Sequence, residues 1–257
     1  MLVDYHVHAL AHGEYRYSQE WVNEFLDRAS QRGIEELGFS EHDEYSELVD
    51  INLFKKLQIN RRNNINVKLG LEVDYIPGRE EKIREIIISK EYDYIIGSVH
   101  YIDGWGFDHP DYRAGFNDRD IDEVYAQYAN ILMKMVQSDC FDVVGHIDLV
   151  KKWGYRPRKR TTIYYLEPVL KAIKKYGLAV EINSAGLRKT VEELYPASNL
   201  VNMMFSYSIP ITFGSDAHHP DEMGEGLKEA YRSARQAGYR YLVRFDQHEK
   251  LVTPIEY

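Results

Sequence analysis

The sequence has one cysteine, no long apolar run and no excess of basic residues. Cys140 is alone among 257 residues, so an internal disulfide is impossible, which suits a reducing compartment. No apolar stretch approaches the roughly 18 residues that span a bilayer. The first residues, MLVDYHVH, place an acid where a secretory signal carries a basic region. These absences predict a cytoplasmic protein with no membrane partner.

The charge balance is acidic, with 32 Lys and Arg against 41 Asp and Glu and a formal net charge of −9. Nucleic acids and anionic membranes are approached by basic surfaces that release counterions, so the composition argues against both partners. With 44% hydrophobic and 28% charged residues, the chain resembles neither a disordered tail nor a membrane protein. It is long enough to bury a substantial core.

Short apolar or β-branched runs alternate with longer segments of helical periodicity, which is typical of βα units around a parallel sheet. The runs predicted as strands are Leu2–Val7, Glu36–Ser40, Val67–Asp74, Tyr94–Val99, Asp142–His146, Ala179–Asn183 and Ile211–Ser215. The segments predicted as helices are Ser18–Gln31, Asp50–Asn63, Arg79–Lys90, Asp120–Gln137, Thr162–Tyr176, Ser198–Tyr207 and Leu227–Ala237.

No Ser-, Pro- or Gly-rich linker interrupts this alternation, so we expect one domain over residues 1–257. A closed α/β barrel of the TIM type is the economical architecture, because about 250 residues is typical of that fold. A doubly wound open sheet is the alternative. The distribution of polar residues favours the barrel.

Imidazoles and carboxylates gather where predicted strands end. Seven histidines lie at or just beyond the carboxyl end of a strand, where α/β folds place their active sites: His6, His8, His12, His42, His100, His146 and His218. Glu72 and Asp216 add carboxylates, and the alternation of strand side chains points His6 and His8 the same way. A lone histidine there is usually structural, but the joint pattern predicts a metal site.

Imidazole and carboxylate ligands without thiolate suit zinc, manganese or iron. The candidate ligands outnumber those that one or two ions take when positions stay open for water and substrate. Three divalent or trivalent ions fit this number of candidate ligands best. The three histidines elsewhere in the sequence, His109, His219 and His248, are expected in loops or on the surface.

Six motifs, in order and over nearly the whole chain, resemble the polymerase and histidinol phosphatase (PHP) superfamily: DYHVH, EHD, GLEVDY, GSVH, GHIDL and GSDAH. The resemblance implies a distorted seven-stranded (βα)7 TIM-like barrel with three metal ions. It implies a first ion held by His6, His8, Glu72 and Asp216, a second by Glu72, His100 and His146, and a third by His12, His42 and His218. Three residues separate His8 from His12, fewer than the resemblance leads us to expect.

Three further segments resemble the histidinol-phosphate phosphatase branch: SVHYIDGWGFD, GHIDLVKKWGYRP and EINSAGLRKTVEELYP. This resemblance implies that the substrate is a small phosphomonoester. Specifically, it implies hydrolysis of L-histidinol phosphate to L-histidinol and phosphate in histidine biosynthesis.

Several residues are candidates to bind that substrate. Arg188, in the loop above Asn183, presents a planar fork of donors that suits a phosphate, whereas an ordinary solvated cation is the alternative. Asp108 is a candidate partner for the ammonium of the leaving group, or else caps a turn. Three more cations are candidates for the phosphate: Lys151, Arg156 and Arg16.

Metal ions lower the pKa of a bound water towards about 7, which supplies a nucleophile at neutral pH. The ions that share Glu72 are expected to carry it. Asp216, or a water near His218, is the candidate for protonating the leaving alkoxide. Alternatives are another PHP phosphoesterase, such as an exonuclease or a protein-tyrosine phosphatase, an amidohydrolase-like enzyme, or a non-enzymatic metal-binding protein.

Overall fold

Strands and helices alternate along the chain in the structure, a computed structural model that describes residues 1–256. The strands are β1 (Leu2–Asp4), β2 (Ile34–Phe39), β3 (Asn66–Asp74), β4 (Tyr94–Ser98), β5 (Tyr101–Ile102), β6 (Trp105–Gly106), β7 (Val143–Val144), β8 (Ala179–Asn183), β9 (Ile211–Gly214), β10 (Tyr241–Asp246) and β11 (Glu249–Pro254). The α-helices are α1 (Gln19–Gln31), α2 (Ile51–Asn60), α3 (Glu80–Ile87), α4 (Ile121–Gln137), α5 (Thr162–Tyr176), α6 (Ser198–Ser206) and α7 (Leu227–Ala237). Every predicted strand and helix is present, with small shifts of boundary.

Seven parallel strands form one sheet in the order β1-β2-β3-β4-β7-β8-β9. Its two outer strands approach each other just beyond their ladders. There the Tyr5 N–H donates to Phe213 O and the His8 N–H donates to Ala217 O, each at 2.9 Å. Val7 and Ala217 form a parallel bridge. This seam nearly closes the sheet, and the predicted α/β, distorted seven-stranded TIM-like barrel is confirmed.

Two barrel strands are shorter than predicted because other groups take their backbone hydrogen bonds. β1 pairs with β2 in a regular ladder only as far as Asp4. From Tyr5 to His8 the chain bonds mainly to the β9 side of the seam, and the Ser40 N–H that follows β2 donates to Val7 O. β7 ends at Val144, since the His146 N–H donates to the Glu181 carboxylate at 2.7 Å. The histidines that follow β1 and β7 therefore lie beyond the ends of these two strands.

Local polar groups set the helix ends. The Ser18 hydroxyl accepts the Trp21 N–H at 3.2 Å where α1 begins, as expected for a capping residue. α2 ends three residues before the predicted boundary because Arg61 adopts a left-handed conformation, with φ +40°. Gly177 ends α5 with φ +74°, which glycine adopts without steric cost.

Within residues 1–256, no helix is long and apolar enough to cross a membrane.

An antiparallel hairpin of β10 and β11 follows the barrel and was not predicted. Its two-residue turn is Gln247–His248, and both residues have positive φ, 47° and 68°. Such turns are usually recognised from Asn-Gly or Asp-Gly, so this one carries no turn signature in the sequence. The hairpin extends the described structure beyond the predicted βα pattern.

The hairpin covers the amino-terminal end of the barrel, opposite the predicted site. Phe245 packs against Tyr5 and Tyr94 inside the barrel, with ring centroids 5.8 and 5.6 Å apart. Arg244 Nη1 donates to the fully buried Glu36 carboxylate at 2.9 Å. Lys68 Nζ on β3 pairs with the Asp246 carboxylate. Apolar and charged contacts thus attach this hairpin to the sheet.

Arg244→Ala should reduce the free energy of unfolding by about 2 kcal/mol, because it leaves the buried Glu36 carboxylate without its cation. Urea unfolding of the chelator-treated protein measures the change. Lys82→Ala is the control, because its pair with Glu85 at 3.2 Å is exposed and should contribute about 0.5 kcal/mol or less. Equal losses in the two variants would contradict this role of Arg244.

Candidate metal centre

His6 and His8 lie on the extended segment that follows β1. On its two sides, Val7 O accepts the Ser40 N–H at 2.9 Å and His6 O accepts the Asp216 N–H at 2.7 Å. Side chains alternate along extended backbone, so both imidazoles lie on the same side of this segment. Both are fully buried.

Glu72, on β3, lies at the centre of the imidazoles. Its Oε2 is 2.9 Å from His42 Nδ1 and 3.3 Å from His6 Nε2. Its Oε1 is 3.1 Å from His146 Nε2 and 3.8 Å from His100 Nε2. Glu72 is only 1% exposed, so imidazoles take the place of water around a buried carboxylate.

Asp216 and His218 extend this cluster from the end of β9. Asp216 Oδ1 lies 3.4 Å from His8 Nε2 and 3.6 Å from His218 Nδ1. The ring of His8 also lies between two others, with centroids 4.3 Å from His42 and 4.4 Å from His218. Residues from both ends of the barrel sequence therefore meet at one point.

Four overlapping sets of side chains bring one ligand atom each to within 4.8 Å of one another. The sets are His8–His42–His218, His6–His146–Asp216, His6–His8–Glu72 and Glu72–His100–His146. Among residues 1–256 these sets use every predicted metal ligand except His12. The barrel thus brings together metal-binding clusters at the carboxyl ends of its strands.

Buried imidazole nitrogens in these sets lack hydrogen-bond partners within the described residues. They are His6 Nε2, both ring nitrogens of His8, His42 Nε2, His146 Nδ1 and His218 Nε2. A buried polar atom without a partner costs about 1–3 kcal/mol, and coordination to a cation would satisfy the lone pairs. Imidazoles and carboxylates without thiolate fit zinc, manganese or iron.

Charges in the cluster set the protonation states. Burial alone would raise the pKa of Glu72, but His6 and His42 hold that pKa well below its usual range. Burial lowers the pKa of His218 to about 4, assisted by repulsion from His42 and His12. Glu72 is therefore a carboxylate and His218 a neutral imidazole at neutral pH, the forms in which each binds a metal.

Three of the clustered imidazoles have a raised pKa, the opposite direction from His218. At His42, the effect of burial is outweighed by Glu72, which raises the pKa. Burial would lower the pKa of His100, but the carboxylates of Asp74 and Asp108 outweigh it and raise this pKa to about 10. Burial is likewise outweighed at His6, where Glu181 and then Glu72 hold the pKa well above its usual range. Without a metal, His100 and His6 therefore keep a proton at neutral pH.

Two carboxylates that the sequence analysis missed orient the candidate ligands. Glu181 Oε2 lies 2.8 Å from His6 Nδ1, and the Asp74 carboxylate is hydrogen-bonded to His100 Nδ1. Such carboxylates fix ring orientation and typically raise the basicity of the nitrogen that binds the metal. Period-two alternation was the available signal, since Asp74 follows Glu72 by two residues on β3 and Glu181 precedes Asn183 by two on β8.

A cavity of about 680 Å³ opens above the cluster. Its lining includes Glu72, His42, His100, His146, Asp216 and His218, together with Tyr101, Tyr112 and Tyr195. Acids are frequent around it: Glu14, Glu44, Asp74, Asp108 and Glu222. Its lysines are Lys152 and Lys189. The cavity is large enough for a small molecule and combines aromatic faces with both signs of charge.

His12 lines this cavity and is exposed, but its ligand atoms belong to none of the four sets. Its ring centroid lies 4.7 Å from that of His218 and 5.3 Å from that of His42. The structure thus brings His12 beside the histidines with which it was predicted to act.

Asp108 is the one predicted substrate residue that lines the cavity. Lys152 Nζ lies 3.2 Å from its Oδ2. Arg188 is outside the lining, although its neighbour Lys189 is part of it. Arg188 Nη2 donates to Ser215 O at 2.9 Å and to Asp216 O at 3.2 Å, while its Nε and Nη1 lack hydrogen-bond partners within residues 1–256.

The structure does not bring Asn183 into the cavity. This residue is fully buried, its Nδ2 donates to Glu181 at 2.9 Å, and its Oδ1 accepts the Ala185 N–H at 2.8 Å. Both side-chain polar atoms are therefore used inside the protein. In this structure Asn183 supports Glu181, which orients His6.

Three predicted cations also lie away from the cavity. Lys151 and Arg156 both pair with Glu193, at 3.1 and 2.7 Å, beside a separate pocket. Arg16 is exposed and is not among the lining residues. Lys152, which belongs to the same basic run as Lys151 and Arg156, does line the cavity. Lys189 also lines it and was not selected from the sequence, because nothing in the motifs distinguishes it from neighbouring cations.

A seven-stranded barrel with histidines and acids at the carboxyl ends of its strands defines a metal-binding α/β-barrel protein. The chain belongs to the PHP domain family, whose model matches residues 4–185.

Relatives of this chain are named as histidinol-phosphatases or probable histidinol-phosphatases. It is 39% identical over 176 residues to a probable histidinol-phosphatase of Deinococcus radiodurans, covering 68% of this chain and 66% of that protein. It is 25% identical over 265 residues to a histidinol-phosphatase of Lactococcus lactis, covering 95% and 94%.

Solved structures support the fold. The histidinol phosphate phosphatase of Lactococcus lactis, complexed with zinc, L-histidinol and phosphate, superposes with a TM-score of 0.80 at 21% identity, covering 97% of this chain and 98% of that one. A putative histidinol phosphatase from Listeria monocytogenes gives 0.75 at 20% identity, covering 88% and 99%.

Zinc binding to the chelator-treated protein at pH 7.5 should release about one to two protons per chain, because His100 and His6 hold protons there and ligands must be neutral. Titration calorimetry in buffers of different ionisation enthalpy measures the release. His100→Gln should remove about one proton, whereas His248→Gln, in the hairpin turn, should change nothing. A binding enthalpy independent of buffer would contradict the raised pKa values.

Proposed function

We propose that this protein is a metal-dependent phosphatase that hydrolyses L-histidinol phosphate to L-histidinol and phosphate. The observation that carries the proposal is the convergence of imidazoles on a buried carboxylate at the floor of a cavity sized for a small molecule. Relatives named histidinol-phosphatase align with nearly the whole chain and support the substrate. Seven of the strands between Leu2 and Gly214 form one parallel sheet, which supports a single catalytic domain.

We assign three ions, with zinc, manganese and iron as the candidates. His6, His8, Glu72 and Asp216 would hold the first, Glu72, His100 and His146 the second, and His12, His42 and His218 the third. Two of the clustered sets support this division, since His6–His8–Glu72 and Glu72–His100–His146 share only Glu72, whereas His6–His146–Asp216 and His8–His42–His218 each combine residues assigned to two ions. When bound, such ions lower the pKa of a coordinated water and neutralise phosphoryl oxygens.

The protein's own cations would position the phosphate. Arg188 Nε and Nη1 are buried donors without hydrogen-bond partners in the described residues, and Nε lies 3.7 Å from Glu222 Oε1 in an ion pair. A phosphate oxygen would satisfy them, since guanidinium donors match such oxygens well. Lys189 lies next in the chain and lines the cavity, so it supplies a second positive charge at the same side.

Asp216 and His218 suit the binding of metal better than the delivery of a proton. Burial would raise the pKa of Asp216, but His6 and His8 help to hold it well below its usual range. His218 is neutral, with a pKa of about 4. Neither group carries an acidic proton at neutral pH, since Asp216 is a carboxylate and His218 is neutral imidazole, so we assign protonation of the leaving alkoxide to water in the cavity.

The cavity rim favours a leaving group that carries positive charge. Histidinol has an ammonium and a titratable imidazole, and the rim offers carboxylates of Glu14, Glu44 and Asp108 beside the faces of Tyr101 and Tyr112. The same carboxylates would repel a polyanion. They therefore favour a small amine-bearing phosphomonoester over the nucleic-acid substrate of an exonuclease.

The purified enzyme should contain close to three ions per chain and should prefer histidinol phosphate to p-nitrophenyl phosphate by about tenfold or more in kcat/KM. Steady-state kinetics on a panel of phosphomonoesters, with elemental analysis, provides the test. Chelation should abolish activity and added metal should restore it. Glu72→Gln, which removes the shared carboxylate, is the inactive control.

Preference for the aryl phosphate would overturn the assigned substrate. Active enzyme with a single ion would overturn the three-ion assignment while leaving phosphatase activity intact.

Asp108→Asn should lower kcat/KM for histidinol phosphate by about tenfold, the effect of one lost charge-assisted hydrogen bond, and change hydrolysis of p-nitrophenyl phosphate by about twofold or less. Comparing the two substrates in one variant separates recognition of the amine from effects on the metal centre. Asp111→Asn, on the same loop but outside the cavity lining, is the matched control. Equal losses on both substrates would show that Asp108 shapes the cavity and does not bind the amine.

A further inference from the structure

The turn that carries His12 is held from beneath by a buried carboxylate, that of Glu41. Glu41 is 2% exposed and lies outside the cavity lining. Its Oε1 accepts the Ala9 N–H at 2.7 Å, and its Oε2 accepts the Leu10 N–H at 3.1 Å. Both oxygens of one carboxylate thus bind consecutive amides between His8 and His12.

This turn is tight and its backbone is strained. Ala11 has φ +51°, in the left-handed region that few residues other than glycine adopt. The turn is closed by hydrogen bonds from the Ala11 N–H to His8 O at 3.2 Å and from the Gly13 N–H to Leu10 O at 2.9 Å. A strained conformation persists only when surrounding contacts over-determine it, and the Glu41 carboxylate supplies two of those contacts.

The opposite side of the turn has its own contact. Trp21 Nε1 on α1 donates to Ala9 O at 2.6 Å, and the Leu10 N–H donates to Glu41, so the peptide group between Ala9 and Leu10 is held on both sides. His12 itself is exposed, and its side chain has no hydrogen bond to any of residues 1–256. Its distance from His42 and His218 therefore depends on where this backbone turn is held.

Glu41 also joins this turn to the centre of the cluster through its main chain. Its carbonyl oxygen accepts the Glu72 N–H at 3.0 Å, and the next residue, His42, forms a parallel bridge with Glu72. One residue thus contacts the His12 turn with its side chain and the Glu72 strand with its backbone.

We propose that Glu41 is a positioning residue that places His12 beside His42 and His218 and so completes the third metal site. The inference rests on the three-ion assignment of the proposed function. Carboxylates that act through another residue typically change metal affinity by about 10- to 100-fold when they are replaced. Loss of the Glu41 carboxylate should therefore weaken the third ion selectively.

Glu41→Gln tests this inference, because an amide offers one acceptor oxygen and turns an N–H group towards the second backbone N–H. Chelator-treated protein is titrated with Zn²⁺ against a competing chelator, and bound metal is counted by elemental analysis. We expect three ions in the parent, loss of one in His12→Ala, and about 10- to 100-fold weaker binding of the weakest ion in Glu41→Gln. The other two affinities should stay within about threefold.

Asp93→Asn is the matched control. Asp93 is also buried and accepts two backbone N–H groups, from Leu69 at 2.8 Å and Gln247 at 3.3 Å, but it lies at the opposite end of the barrel. The Asp93→Asn variant should be less stable than the parent and should bind all three Zn²⁺ ions with unchanged affinity. A raised Zn²⁺ concentration should restore the phosphatase activity of Glu41→Gln, which a general loss of folding would not allow.

Unchanged zinc affinities in Glu41→Gln, or an equal fall in all three, would overturn the positioning role while leaving the three-ion assignment intact. Two ions in the parent would overturn the third site itself. Glu41→Asp keeps the charge but shortens the reach, so it should show the same selective loss and serves if Glu41→Gln does not fold. The titration uses no substrate, so its outcome is independent of whether histidinol phosphate is hydrolysed.

Discussion

The buried carboxylate of Glu72 is the constraint on which the rest of the site depends. It is removed from water and lies within 4 Å of imidazoles from His6, His8, His42, His100 and His146. Burying one carboxylate and so many imidazoles is unfavourable unless charge and lone pairs are compensated. Cations compensate both, which gives a physical reason for a metal centre and not merely a cluster of polar residues.

The barrel makes this arrangement possible because each strand contributes only one or two inward positions at its carboxyl end. β8 contributes side chains that orient ligands carried by other strands. Its Glu181 binds His6 Nδ1 with one oxygen and the His146 backbone N–H with the other, and Asn183 supports it in turn. β8 carries none of the predicted ligands, yet its side chains determine how ligands from two other strands are oriented.

The fold and the clustered ligands were predictable because both depend on short-range periodicity. Apolar runs marked the barrel strands, and the polar residue after each run marked its functional end. The β10–β11 hairpin was not predicted, because its turn residues Gln247 and His248 adopt left-handed conformations although neither is glycine. Prediction was weakest for the substrate residues, since the choice between Lys151 and Lys152 depends on which neighbour turns towards the cavity.

The seam between β1 and β9 is joined by a few backbone hydrogen bonds and an isolated bridge, and no regular ladder connects these strands. His6 and His8 stand on one side of that seam, and Asp216 and His218 stand on the other. An ion bound by both sides would act as a crosslink between residues more than 200 positions apart in the sequence. The bonds that hold such an ion for catalysis would then also hold the barrel closed. Removing the metal would remove part of what keeps the first and last strands together.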